Sequence, residues 1–264
     1  MDTGTARLLV DVDDGVARVT FNNPAKHNAL AADMLTALPP ALTALQADPD
    51  VRVVVLTGAG DRAFVSGADI SEFEDRRTTV EARSAYDQAW TAVNAAWAGL
   101  DKPILAMIRG YCIGGGLLTA LRADVRVAAE GSQFGVPAAR LGLGYGFAGV
   151  RALVDVVGPS WTAEILFSAR RLPAAEALRI GLVNRVVPGE RLEDEVMELA
   201  RSIRDNAPLT VAACKAAIRA AVADPDRRDL ARVAELIEAC FRSQDYVEGQ
   251  RAFREKRAPR FSGR

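Results

Sequence analysis

Two short segments of this 264-residue chain have the residue types and spacing to handle developing negative charge. The first runs Ile104 to Ile108, then Arg109-Gly110-Tyr111-Cys112-Ile113, then Gly114-Gly115-Gly116 and Leu117, which reads as strand, turn, glycine triplet and helix. N–H groups at a helix start lack an intrahelical acceptor, and the positive end of the helix dipole favours an anion beside them. Three glycines let a ligand approach the backbone closely. No Lys-Ser/Thr pair follows them, so a carbonyl oxygen becoming an oxyanion suits the segment better than a phosphate. The competing reading is structural: a helix packed tightly on a sheet. The second segment, Ala63-Phe64-Val65-Ser66-Gly67-Ala68-Asp69-Ile70, is small and glycine-bearing, and it could present another backbone N–H.

The other candidates are weaker. Gly144-Tyr145-Gly146-Phe147-Ala148-Gly149 satisfies G-x-G-x-x-G, but Ala138 to Leu143 carries Arg140 and Gly142 and does not read as the buried strand a dinucleotide fingerprint needs. A turn entering a helix is the plainer reading. His27 is the one histidine, which excludes a three-histidine zinc site and obliges any Ser-His-Asp or Cys-His apparatus to use it. A Cys112–His27 dyad would need two distant loops to meet. Cys112, Cys214 and Cys240 lack metal-ligand spacing, and an odd, scattered set suits a reducing cytoplasm. Asp69, Glu72 and Glu74 could enter a pocket or remain solvated, with Asp69 also a candidate helix cap. Arg140 and Asp124 could pair with other residues or touch substrate.

These segments need elements to hold them. Leu8 to Val12 and Val16 to Phe21 flank Asp13-Asp14-Gly15 and predict a hairpin. Val51 to Thr57 is a β-branched run expected of a strand buried on both faces. Pro103 to Ile108, Asp124 to Ala128 and Asn184 to Val187 predict further strands. Apolar residues three and four apart predict helices through Tyr86, Trp90, Val93, Trp97 and Leu100; through Leu192, Val196, Leu199 and Ile203; and through Leu230, Val233, Ile237 and Cys240. Pro39-Pro40 interrupts a helical pattern from Ala31 to Gln46, and a break is expected there. Strands dominate the first half and helices follow Phe147, with Asn206-Ala207-Pro208 as the best boundary. The fold class is α/β, with no repeat and no low-complexity linker. Met1 to Arg7 lacks a signal-like apolar core, and no apolar stretch reaches the roughly 18 residues of a membrane span. With 33 basic and 34 acidic side chains, a net charge of −1 gives no reason to expect a nucleic-acid or membrane-surface partner.

Taken together, the segments resemble the enoyl-CoA hydratase/isomerase (crotonase) superfamily. The resemblance rests on Asn23-Pro24-Ala25-Lys26-His27-Asn28-Ala29-Leu30, Phe64 to Ile70, Gly110 to Gly116, Phe134-Gly135-Val136-Pro137, and Phe253-Arg254-Glu255-Lys256-Arg257-Ala258-Pro259-Arg260-Phe261. It covers nearly the whole chain in order. It implies a spiral of ββα units over residues 1–205 and a helical oligomerisation segment over 206–264, assembling trimers or dimers of trimers. It also implies an acyl-CoA thioester as the partner, with coenzyme A arriving as part of the substrate and no separate cofactor or metal.

By motif position the resemblance assigns the thioester oxygen to the N–H groups of Ala68 and Gly115. It assigns substrate contacts to Lys26, Asn28, Ser66, Gly67, Asp69, Ile70, Ile113, Gly114, Pro137, Ala138 and Leu141, makes His27 a lining residue of the CoA loop, and places Phe253 and Lys256 near CoA. The chemistry departs from the family pattern. Hydratases of the family supply two glutamates, at positions that here hold Leu118 and Ala138, and neither side chain can transfer a proton. Tyr145 matches a tyrosine of the methylmalonyl-CoA decarboxylase branch, or else simply packs in its turn. Enolate chemistry by isomerisation, decarboxylation or weak hydration, and retention of the cleft only to bind acyl-CoA, are the expectations carried forward.

Overall fold

The computed structural model describes residues 1–69 and 80–264, with side chains except at 80–83 and 85–87. Ile70, Glu72 and Glu74, and the side chain of Tyr86, lie outside the described residues.

The expected hairpin forms β1 (Leu8–Asp13) and β2 (Val16–Phe21), paired antiparallel. Asp14 and Gly15 both adopt positive φ, 46° and 77°, the two-residue turn whose twist matches that of its strands. β3 (Val53–Gly58), β5 (Ile104–Ile108), β7 (Val125–Ala129) and β10 (Arg185–Val187) complete a six-stranded sheet in the order β1-β2-β3-β5-β7-β10, parallel from β2 onward. A four-stranded sheet, β4-β6-β8-β9, is built from β4 (Ala63–Val65), β6 (Tyr111–Ile113), β8 (Gln133–Gly135) and β9 (Leu172–Pro173). The residues read from sequence as a turn before the glycine triplet are therefore partly strand, because Tyr111 to Ile113 pair between β4 and β8.

Successive strand pairs β3/β4, β5/β6 and β7/β8 each give one strand to each sheet. A helix follows each pair: α2 (Val80–Ala98), α3 (Gly115–Ala120) and α4 (Phe147–Ser168). This is a spiral of ββα units. The β-branched run of β3 serves both faces of its sheet. Val54 and Leu56 join the main core with Met34, Leu38 and Leu42 of α1 (Ala32–Ala47), while Val53 and Val55 pack under α6 (Leu192–Arg204). α6 closes that second layer with Leu192, Val196 and Ala200, one apolar stripe at helical spacing. Burying one such Leu or Val contributes about 1.5–3 kcal/mol.

The break expected at Pro39-Pro40 does not occur: α1 runs from Ala32 to Ala47 with both prolines inside. A proline within a helix costs about 3 kcal/mol. Seven buried side chains of α1, from Met34 to Leu45, face the sheet and hold the helix in spite of that cost. Tertiary packing overrides local preference here.

After the short helix α5 (Ala174–Arg179) and α6, Pro208 opens α7 (Pro208–Val222) at the expected place, followed by α8 (Leu230–Arg242) and α9 (Gln244–Glu255). Buried Lys215 of α7 donates to Lys102 O at 2.7 Å and to Asp124 Oδ2 at 2.8 Å. Burial lowers the Lys215 pKa and Asp124 opposes that shift. Asp124 also accepts the Ile104 N–H at 2.7 Å, so this carboxylate anchors α7 to β5. α8 buries no residue within the chain, and Leu230, Ile237 and Phe241 stand exposed along it. No described helix is long and apolar enough to cross a membrane.

Candidate active site

Three chain segments converge where β4 and β6 end. The first is the entry loop. A 3-10 turn over Pro24–Lys26 hands on to His27 and Asn28, whose φ values of 52° and 56° reverse the chain. Asn28 is buried and its amide is fully engaged: Oδ1 accepts the Asn23 N–H at 2.9 Å, and Nδ2 donates to Ala59 O at 2.9 Å and Ala63 O at 2.7 Å. The resemblance assigned Asn28 to substrate contact; in the structure its side chain clamps the loop to the turn between β3 and β4.

The second segment, Ser66 to Asp69, runs alongside the entry loop. Ser66 N–H donates to His27 O at 3.1 Å and Ser66 Oγ to Lys26 O at 3.2 Å. Leu30 and Ala68 form a parallel bridge, with Leu30 N–H on Gly67 O at 2.8 Å and Asp69 N–H on Leu30 O at 2.9 Å. Lys26 Nζ donates to the buried carboxylate of Asp69 at 2.7 Å. In a parallel bridge the central residue turns its own N–H away from the partner strand. The Ala68 N–H accordingly has no hydrogen-bond acceptor among the described residues. Gly67, at φ 119°, makes the turn that a side chain would resist.

The third segment is the glycine triplet. Gly114 donates to Gly135 O at 2.8 Å and, at φ 55° and ψ −118°, swings the chain from β6 into α3. Gly115 is the first helical residue, and its N–H likewise has no acceptor among the described residues. A Cβ on Gly115 would stand 3.7 Å from Ala68 N and 3.6 Å from Leu30 Cδ1. The two free donors are therefore neighbours. Gly116 fulfils the competing structural reading, because a Cβ there would lie 2.0 Å from Val65 O. One triplet does both jobs: close packing at 116 and an open donor at 115.

The wall beside these donors is apolar. Pro137, Ala138 and Leu141 form a 3-10 turn closed by Gly142 at φ 64°. Pro137 Cδ lies 4.0 Å from the Cβ position of Gly114, which places this turn at the triplet, while Leu141 is exposed. Ile113 ends β6 immediately before it. Leu118 sits on α3. A Cβ on Gly149 of α4 would meet Tyr145 Cε1 at 2.9 Å and Leu118 Cδ1 at 3.3 Å, so the tyrosine ring and Leu118 flank one point. The Tyr145 hydroxyl is buried without a hydrogen-bond partner among the described residues, and burial pushes its pKa up, which keeps the phenol protonated. The G-x-G-x-x-G match dissolves into this context: Gly144 and Gly146 lie in an open turn, and Gly149 is inside α4.

His27 and Cys112 do not form a dyad. The His27 ring meets Tyr111 edge-on at 5.8 Å, and the Arg171 guanidinium covers Tyr111 at 5.0 Å. The next residue along β6, Cys112, projects from the opposite face into the core, where desolvation raises its thiol pKa far above the ordinary value. Arg140, Phe253 and Lys256 are exposed in the chain, away from the paired donors' immediate neighbours. Sequence reasoning assigned no role to Leu30, which braces Ala68 and touches the Gly115 position. Its only local sign is its place at the end of the entry motif.

The model of the enoyl-CoA hydratase/isomerase family matches residues 11–264. The chain belongs to this family. It is 36% identical over 254 residues to the crotonyl-CoA hydratase of Syntrophomonas wolfei, covering 96% of this chain and 97% of that one. It is 36% identical over 250 residues to the short-chain-enoyl-CoA hydratase of Clostridium acetobutylicum, covering 95% of each chain. Among solved structures, an enoyl-CoA hydratase/carnithine racemase from Magnetospirillum magneticum superposes with a TM-score of 0.91 at 35% identity, over 98% of this chain and 97% of that one. The ββα spiral is thus the crotonase-type fold of enoyl-CoA hydratase/isomerase proteins.

Proposed function

We propose that the chain is an acyl-CoA enzyme that polarises a thioester carbonyl between the N–H groups of Ala68 and Gly115 and works through the resulting enolate. The observation that carries this reading is the pair itself: two neighbouring backbone donors without acceptors. Preorganised donors of this kind act where charge accumulates on the oxygen, and one is typically worth about 3–4 kcal/mol. Because both are main-chain groups, they depend on the path of the backbone and not on side-chain identity. The unpaired cysteines suit a cytoplasmic setting, and the exposed apolar faces of α8 and α9 suit assembly into a trimer or a dimer of trimers.

The relatives named hydratases suggest hydration of a short enoyl thioester, but the wall beside the donors argues against efficient hydration here. Adding water across C2 and C3 needs one group to activate water and one to deliver a proton. Each such group is worth about a hundred- to ten-thousand-fold, and Leu118 and Ala138 supply neither. A second reading is favoured by Tyr145, whose buried hydroxyl has no protein partner. With a carboxylate on C2 of the acyl group, the C2–carboxylate bond breaks, carbon dioxide leaves, and the electron pair becomes the enolate held by the two donors. The phenol then gives C2 a proton and recovers one from water. No base is needed to start this reaction.

Titration of the full chain with crotonyl-CoA and methylmalonyl-CoA, with products followed by mass spectrometry, tests the readings. Binding of both and release of propionyl-CoA from the second is the expected result. Undiminished decarboxylation in Tyr145→Phe removes Tyr145 from the mechanism. Binding without change of either thioester turns the protein into an acyl-CoA carrier or sensor, and no binding of either defeats the acyl-CoA reading.

A further inference from the structure

Tyr145 lies in a turn whose backbone does little to hold it. Glycine stands on either side, at 144 and 146, and a Cβ on either would meet nothing within 4 Å. None of these three residues donates a backbone hydrogen bond among the described residues. The last tie before the tyrosine is Leu143 N–H on Ala138 O at 3.0 Å, and the first after it is Gly149 N–H on Gly146 O, also at 3.0 Å. A chain this open leaves the ring to be placed by what it packs against. Tyr145 is partly buried against the main core, and its hydroxyl has no partner there among the described residues to fix it.

One contact lies at the hydroxyl end of the ring. Gly149 is buried in the first turn of α4, and a Cβ there would stand 2.9 Å from Tyr145 Cε1, with Leu118 Cδ1 and Cδ2 at 3.3 and 3.4 Å. Cε1 is bonded to the carbon that carries the hydroxyl, so whatever moves Cε1 moves the phenol oxygen. Ordinary carbon contacts begin at about 3.5 Å, so a side chain at 149 demands a withdrawal of about half an ångström. The ring yields before the helix does, because α4 is anchored in the core by Leu153 and Val157 while the turn before it is open. Glycine inside a helix is otherwise a poorer choice than alanine.

We propose that Gly149 is a positioning residue for Tyr145, its bare Cα being the seat that sets how far the phenol reaches toward C2 of the acyl group. The proposal rests on the decarboxylase reading given above, in which the phenol protonates C2. A catalytic group has to stay within about half an ångström and 10–20° of its productive geometry, the same size as the displacement a methyl at 149 imposes. The rival role for the contact is packing alone, in which the ring fills its turn and its exact depth has no chemical consequence.

The experiment measures methylmalonyl-CoA decarboxylation by the full-length wild type, Gly149→Ala, Tyr145→Phe and the double variant, with thermal unfolding of each. Ring placement is followed by 19F NMR of protein labelled with 3-fluorotyrosine. The chain has four tyrosines, and the Tyr145 resonance is the one that Tyr145→Phe removes. Gly149→Ala is expected to shift that resonance and to lower kcat by about tenfold, with KM and unfolding temperature near wild type. Added to Tyr145→Phe, it is expected to change kcat by less than about twofold, because it acts through a hydroxyl that is already gone. Gly144→Ala, with no neighbour near its Cβ, is the control and keeps wild-type kcat. If Gly149→Ala does not fold, combining it with Leu118→Val removes the second contact and carries the same test. An unmoved Tyr145 resonance, a wild-type kcat in Gly149→Ala, or an equal loss in the Tyr145→Phe background overturns the proposal while leaving the Tyr145 reading intact. A wild type that releases no propionyl-CoA, or a Tyr145→Phe protein at the wild-type rate, defeats the Tyr145 reading and the proposal with it.

Discussion

Replacing Gly116 by alanine probes how closely the proposed thioester site depends on packing one helix against one strand. The new Cβ would stand 2.0 Å from Val65 O, 2.7 Å from Val65 C and 2.8 Å from Val65 Cβ. Val65 is buried in β4 and the nearest two atoms are backbone, so no rotamer change relieves the clash. Ordinary carbon contacts lie at about 3.5–4.0 Å, so α3 has to withdraw from β4 by about 1 Å or more. Overpacking of that kind costs about 1–3 kcal/mol. In a chain of this size each kcal/mol lowers Tm by about 2–4 °C. The effect on the site is larger, because Gly115 opens the same helix and its N–H moves with it, while Ala68 stays with the segment that follows β4. A misplacement of about 1 Å at reacting atoms can cost on the order of a hundredfold. Thermal unfolding and acyl-CoA turnover or thioester preference are measured together. Gly144→Ala serves as the control, since its Cβ would have no neighbour within 4 Å and should shift stability by less than about 0.5 kcal/mol. A Gly116→Ala protein with wild-type Tm and wild-type thioester handling would show that the strand–helix contact does not set the donor geometry.

Three other perturbations have definite expected outcomes. Asn28→Ala leaves Asn23 N–H, Ala59 O and Ala63 O without their partner and should cost about 2–4 kcal/mol, read by urea denaturation. Introducing Leu118→Glu together with Ala138→Glu should raise crotonyl-CoA hydration by about a hundredfold or more; no gain would mean that these positions do not face the thioester. Glu248, held near pKa 2 by the Arg257 guanidinium and the Arg260 N–H, binds fewer protons folded than unfolded below its ordinary value of 4.5. The stability it adds is present above about pH 4.5 and lost as pH falls toward 2, so Glu248→Gln should flatten that part of the acid limb in denaturation curves recorded across pH.

The sequence was most legible where structure is decided by neighbours along the chain. The hairpin at Asp14-Gly15, the doubly buried run of β3 and the stripe on α6 all follow from local residue types and spacing. The two glycine-bearing segments were legible as places of close backbone approach for the same reason, since glycine marks places where a side chain would not fit. Long-range pairing was not legible. Nothing near Tyr145 announces that its ring shares a wall with Leu118, and nothing in Leu30 announces a bridge to Ala68. The clamp made by Asn28 was not legible either, because a loop asparagine that holds its own loop has the same local appearance as one that faces a ligand. Pro39-Pro40 misled because helix propensity is a weak prior beside seven buried contacts.

Those two prolines also bear on the order in which the protein matures. Lacking N–H groups, they leave α1 unable to sustain itself as an isolated helix, so it has to wait for the sheet that receives Met34, Leu38 and Leu42. Leu30 lies just before that helix, and docking of α1 brings it beside the segment around Ala68, with which it pairs. During refolding, regain of ligand recognition should therefore lag behind regain of helix and strand signals. Affinity for a thioester becomes a gauge of finished packing, and a half-folded population would look ordered by circular dichroism while remaining blind to its ligand.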